Sequence, residues 1–181
     1  MNNTLFYPVV LQGLFVVFSY ILIYRNESKY TEYFAGLTGT MFVLWAVSVA
    51  FTVTSYFLLL YVFIWECKPE SCSLLSLSHE NTVLTLLCIY TVFLGSAAQY
   101  AGFTVNDVTR DSKSLALALN LWTTGIASLL ICICAIFLDG IEESWYYISI
   151  VSGIILAVHH IIFDAYYWYS TFTNGYQSMP I

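Results

Sequence analysis

From Ser144 to Phe172 the chain runs almost wholly apolar between two groups of rings. Trp145, Tyr146 and Tyr147 open the stretch, and Tyr166, Tyr167, Trp168 and Tyr169 close it. As a helix, the span from Trp145 to Trp168 rises about 35 Å at ~1.5 Å per residue. That is one bilayer thickness. Amphipathic rings gather where hydrocarbon meets headgroups, so two aromatic clusters at this separation mark both faces of a membrane.

Four further apolar stretches accompany it. Together they read as spans at about 5–24, 35–65, 80–102, 114–138 and 145–169. Only 9% of the 181 residues are charged and 60% are hydrophobic, whereas a soluble domain is about 25% charged. The expected fold is therefore all-α: a polytopic transmembrane bundle of five spans forming one domain over residues 1–181, with the bilayer as its solvent. The loops are too short for a soluble catalytic domain. From Ala35 to Trp65 the second span is unusually long, about 46 Å as a helix, and exceeds the hydrocarbon thickness by roughly half. It is expected to tilt, bend or project, with Gly36, Gly39, Thr52, Thr54 and Ser55 as candidate bending points.

The first stretch has the length of a secretory signal, but no basic residue precedes it and no small-x-small cleavage site follows, so it is expected to stay in the mature protein. Arg25, Lys29, Arg110 and Lys113 fall in loops one and three, and Lys68 alone falls on the other side. The positive-inside rule then places the N-terminus outside or in a lumen and the C-terminus in the cytoplasm. On the outer side six acids (Glu66, Glu70, Glu80, Asp139, Glu142 and Glu143) face one lysine. They read either as a cation-gathering face or as solvated carboxylates at helix ends.

Loop two holds Cys67 and Cys72, candidates for a disulfide in an oxidising lumen. A zinc site there would need more ligands than His79 supplies, and no metal or cofactor is expected. In the third span Gly95, Ala98 and Gly102 form a small-residue contact surface, with Gln99 as an amide able to bond across it. The fourth repeats the design: Ala116, Asn120, Thr124, Ser128 and Cys132 recur every four residues and are expected to face protein.

The fifth span carries the acid and the two histidines that chemistry inside the bilayer would use, Asp164, His159 and His160. Four-residue spacing sets His160 beside Asp164, while His159 joins Ser152 and Phe163 on another side. An intramembrane histidine and carboxylate one turn apart suggest a proton or cation site, to which Gln99 and Asn120 add polar groups. The competing reading makes Asp164 an anchor paired with Arg25, Arg110 or Lys113.

Missing residues exclude sharper identities. There is no mid-membrane lysine for retinal, no arginine series, no potassium filter, and no Gly-x-Ser-x-Gly or His-Glu-x-x-His motif. Adjacent histidines on one helix cannot take opposite axial positions on a haem. No catalytic residue is identified. The expectation is a non-enzymatic structural or assembly subunit of a membrane complex, partnered by other membrane subunits or by its own copies and not by nucleic acid. A small oligomeric transporter or channel is the alternative.

Overall fold

The computed structural model describes residues 3–25, 39–105 and 110–170. Among them five helices run in chain order: α1 (Asn3–Tyr24), α2 (Gly39–Tyr61), α3 (His79–Val105), α4 (Arg110–Ile136) and α5 (Glu143–Val158). Two continue without a break into wider π turns, α2 through Val62–Glu66 and α5 through His159–Trp168. Four helical stretches, Gly39–Glu66, His79–Gln99, Leu115–Ile136 and Glu143–Trp168, are long and apolar enough to cross a membrane. Helix α1 is 22 residues long, and the apolar stretch among its described side chains is Thr4–Phe18. The protein is thus an all-α bundle of membrane-spanning character.

The long second span is a helix of 28 residues including its π turn, about 42 Å at α-helical rise. It starts at Gly39, whose φ of +57° suits glycine. Of the candidate bending points, Gly36 lies outside the described residues, Thr54 returns its hydroxyl to Ala50 O at 3.0 Å, and Thr52 and Ser55 are buried.

In space α1 packs on α3, α3 on α4, α4 on α5, and α5 on α2. Phe6 of α1 meets Trp65 edge-on, with ring centroids 5.8 Å apart, so the π end of α2 touches the first helix. The main core fills the middle with Leu59, Phe63, Leu86, Tyr90, Ile131 and Leu156. A smaller cluster at the other end joins Trp45, Leu117, Leu121, Ala165 and Trp168. The closing aromatic group therefore divides. Tyr166 is exposed as a belt residue should be, whereas Trp168 is buried against α2 and α4.

At one end the loops are tied. Cys67 and Cys72 form a disulfide with Cα atoms 4.9 Å apart, and the next two residues make a short strand, β1 (Ser73–Leu74). It pairs antiparallel with β2 (Leu138–Asp139), Ser73 opposite Asp139 and Leu74 opposite Leu138. Gly140 follows at φ +80°, not as a helix cap on α4 but as the turn after β2, and a Cβ there would run into the Ser71 carbonyl. Ser78 caps α3, as its position suggests, by accepting from Asn81 N–H at 3.4 Å.

Candidate functional site

The small-residue stripe on α4 lies mostly inward. Asn120, Thr124, Ser128 and Cys132 are buried, and Ala116 is half-buried. Thr124 donates to Ser96 Oγ of α3 at 2.8 Å, and Ser96 in turn lies 2.8 Å from Val92 O, so two hydroxyls are satisfied inside the bundle. About two helix turns away the same stripe meets α5, where a Cβ on Gly153 would come within 2.8 Å of Cys132 Cα. Gly153 and Gly125 are therefore the residues that let α4 and α5 approach. Gly125 also sits against the π segment, with Ile161 Cγ1 at 3.1 Å from its would-be Cβ.

The surface expected on α3 is different. A Cβ on Gly95 would meet nothing within 4 Å, Ala98 is half-buried, and Gln99 is exposed. Gly102 lies in α3, but its surroundings fall outside the described residues. Gly95 is thus not a close contact among the described residues. Instead it lines an open groove of about 510 Å³ between α3 and α4, along with Thr91, Gln99, Asn120 and Thr123. There Asn120 Nδ2 donates to Gln99 Oε1 at 3.5 Å, while Asn120 Oδ1 is buried with no hydrogen-bond partner among the described residues.

The second polar site centres on Asp164. Spacing on an α-helix sets His160 beside this acid and turns His159 about 140° away from it. The structure keeps His160 near the acid and adds His159. From His159 onward the helix is π, closed by hydrogen bonds to the fifth preceding residue, as Tyr169 N–H to Asp164 O shows. The wider turn brings Asp164 under both histidines, and its ion-pair contact is with His159, Nε2 to Oδ2 at 3.4 Å. One ligand atom from each of His159, His160 and Asp164 falls within 4.8 Å of the other two.

Helix α2 completes the site with two residues that spacing along α5 could not reveal. Trp45 Nε1 donates to Asp164 Oδ1 at 3.2 Å, and Ser48 Oγ lies 2.9 Å from His159 Nδ1. The anchor reading named Arg25, Arg110 and Lys113. Asp164 takes Trp45 and His159 instead; Arg25 is exposed, and the other two side chains lie outside the description. One sequence signal for α2 did exist: Ser48, Thr52 and Ser55 recur at i, i+4 and i+7, a polar stripe on an apolar helix. Thr52 and Ser55 are buried on that stripe.

The hydrogen-bond directions follow from the partners. Ser48 has one hydroxyl hydrogen and gives it to Trp45 O at 2.7 Å, so His159 Nδ1 must be the donor in its contact with Ser48. His160 Nδ1 faces Leu156 O at 2.8 Å, and a carbonyl only accepts, so that nitrogen carries hydrogen too. Each neutral ring then keeps its lone pair at Nε2, and that of His159 faces Asp164. Comparison with family models, curated proteins and solved structures finds no match for this chain.

Proposed function

We propose that this chain is a non-enzymatic membrane protein that serves as a structural or assembly subunit of a larger membrane complex. The observation that carries the reading is the groove between α3 and α4. It places Thr91, Gln99 and Thr123, all exposed, on a membrane-facing surface otherwise made of residues such as Leu84, Leu119 and Ile126. Beneath them Asn120 Oδ1 has no partner among the described residues. In hydrocarbon an unsatisfied amide oxygen costs several kcal/mol, and a transmembrane helix of another subunit offering a hydroxyl or amide donor would satisfy it. The open space over Gly95 lets that helix approach closely.

The orientation belongs to the same proposal: N-terminus outside or lumenal, C-terminus cytoplasmic. Four of the five basic residues fall at or between the α1–α2 and α3–α4 helix ends, and the Cys67–Cys72 disulfide, which suits an oxidising compartment, follows α2 at its other end. The test is purification in mild detergent followed by native mass measurement. Stable hetero-partners are expected, lost when Gly95 is replaced by leucine while the thermal stability of the chain itself is kept. A monomer or a homo-oligomer alone would overturn the assembly reading.

The polar cluster on α5 favours a second reading, a small oligomeric transporter or channel for protons or cations. It rests on a carboxylate and two imidazoles held inside the spanning part of the bundle, with His159 and Asp164 in contact. In liposomes Asp164→Asn should then abolish flux while leaving assembly intact, and absence of flux in the unaltered protein would sink it.

A further inference from the structure

We infer that His159, His160 and Asp164 together bind a divalent first-row transition-metal ion, zinc being the simplest case, inside the bundle between α5 and α2. The inference shares its residues with the transport reading but does not depend on transport.

The argument begins with donors and acceptors. With Nδ1–H committed to Ser48 and to Leu156 O, both histidines offer only a lone pair at Nε2, and a carboxylate also only accepts. Three side chains that each carry an acceptor therefore converge, one ligand atom from each lying within 4.8 Å of the other two. Trp45 Nε1 supplies one donor, but to Asp164 Oδ1, on the other oxygen from the one facing His159. One added proton can bridge two of the three acceptors and leaves the third without a donor. A metal ion serves all three.

Distance points the same way. A charge-assisted N–H···O bond closes to about 2.7–2.9 Å, whereas His159 Nε2 and Asp164 Oδ2 stand 3.4 Å apart. Two ligands on a tetrahedral zinc with bonds near 2.0–2.1 Å lie about 3.3 Å from each other. The pair already has the separation of two metal ligands. The widest separation in the trio, up to 4.8 Å, must shorten by about 1.5 Å, a side-chain movement and not a backbone one.

Each ligand also has the outer partner a metal site needs. Ser48 holds His159, the Leu156 carbonyl holds His160, and Trp45 holds Asp164. Such partners fix the tautomer and aim the other nitrogen at the metal. Two imidazoles and one carboxylate suit zinc, iron(II) or cobalt(II) better than calcium or magnesium, which prefer oxygen. Three protein ligands leave a position open. A mostly apolar groove of about 380 Å³, lined by Ser48, Phe51, Ile155, Val158, His159 and Phe163, reaches the same imidazole.

The test uses full-length protein purified without a polyhistidine tag, stripped of metal, and titrated with Co²⁺ in detergent. One equivalent should bind, with the visible ligand-field bands of a low-coordinate site, and Zn²⁺ should displace it and raise the thermal midpoint. His160→Asn and Asp164→Asn should each weaken binding by at least about 100-fold, and Ser48→Ala by about 10- to 100-fold. His79→Asn, remote at the start of α3, should change nothing. Folded unaltered protein that takes up no stoichiometric Co²⁺ or Zn²⁺ overturns the proposal, and that result does not depend on any variant folding. So does binding that survives loss of Asp164. Co²⁺ binding without any flux supports the metal centre and removes the transport reading; Asp164-dependent proton flux without metal binding does the reverse.

Discussion

Trp45 shows how much one donor can decide at the scale of a residue. Its indole N–H is the group from α2 that meets the Asp164 carboxyl, and an indole buried in an apolar cluster needs such a partner. Interhelical hydrogen bonds in membranes average only about 0.6 kcal/mol, but a carboxyl acceptor raises the stake. Trp45→Phe, which keeps most of the ring, is expected to cost about 1–2 kcal/mol in unfolding measured in detergent. Thr123→Val serves as the contrast, because the Thr123 hydroxyl is exposed and returns to its own helix at Leu119 O, 2.7 Å away. Its cost should be near zero, and equal losses for the two variants would show that the indole bond contributes nothing.

At the scale of the element, periodicity separates α5 from an ordinary helix. Glu142 and Glu143 start it, with Ser144 bonded to Glu142 Oε1 at 2.6 Å, as acidic residues favour a helix start. Beyond Val158 the turn widens, and partner assignment passes from the fourth to the fifth residue. Close packing on α4 accompanies this change. Gly153→Ala would press a methyl group into the Cys132 backbone and should cost about 1–3 kcal/mol, because neither helix can yield locally. Gly95→Ala meets open space and removes a flexible glycine from a helix interior, so in the isolated chain it should be neutral or stabilising by up to about 1 kcal/mol. Thermal unfolding of the two variants side by side distinguishes them, and a destabilising Gly95→Ala would mean that the groove is narrower than the structure has it.

For the whole molecule the question is how five helices keep their order when lipid offers no hydrophobic force between them. Part of the answer lies at the tied end, where the β1–β2 pair joins the loop after α2 to the loop after α4. The Cys67–Cys72 ring stiffens that junction. Closing a ring of this size removes about 2 kcal/mol of chain entropy from the unfolded state, so the double Cys67→Ser, Cys72→Ser variant should lose stability of that order, measured without reductant. Mass analysis of the unaltered protein should show the pair oxidised. In a eukaryotic host the proposed orientation keeps the Asn26-Glu27-Ser28 acceptor in the cytoplasm and free of glycan; a glycan on Asn26 would invert the arrangement.

Apolar length, aromatic positions and scarcity of charge were sufficient to read a bundle of membrane-spanning helices, because the bilayer imposes length and solvation on each helix separately. The buried positions of Asn120, Thr124, Ser128 and Cys132 were legible for a similar reason, since α4 keeps α-helical spacing along its whole length. Spacing alone set His160 beside Asp164, where the structure also has it, but missed His159, which the π turn brings round to the same carboxylate. Trp45 stands 119 residues from Asp164 and Ser48 stands 111 from His159. No local pattern specifies such a pairing, since which helix lies beside which is settled by the fit of whole surfaces, and only the tertiary structure brings the five polar side chains of the site together.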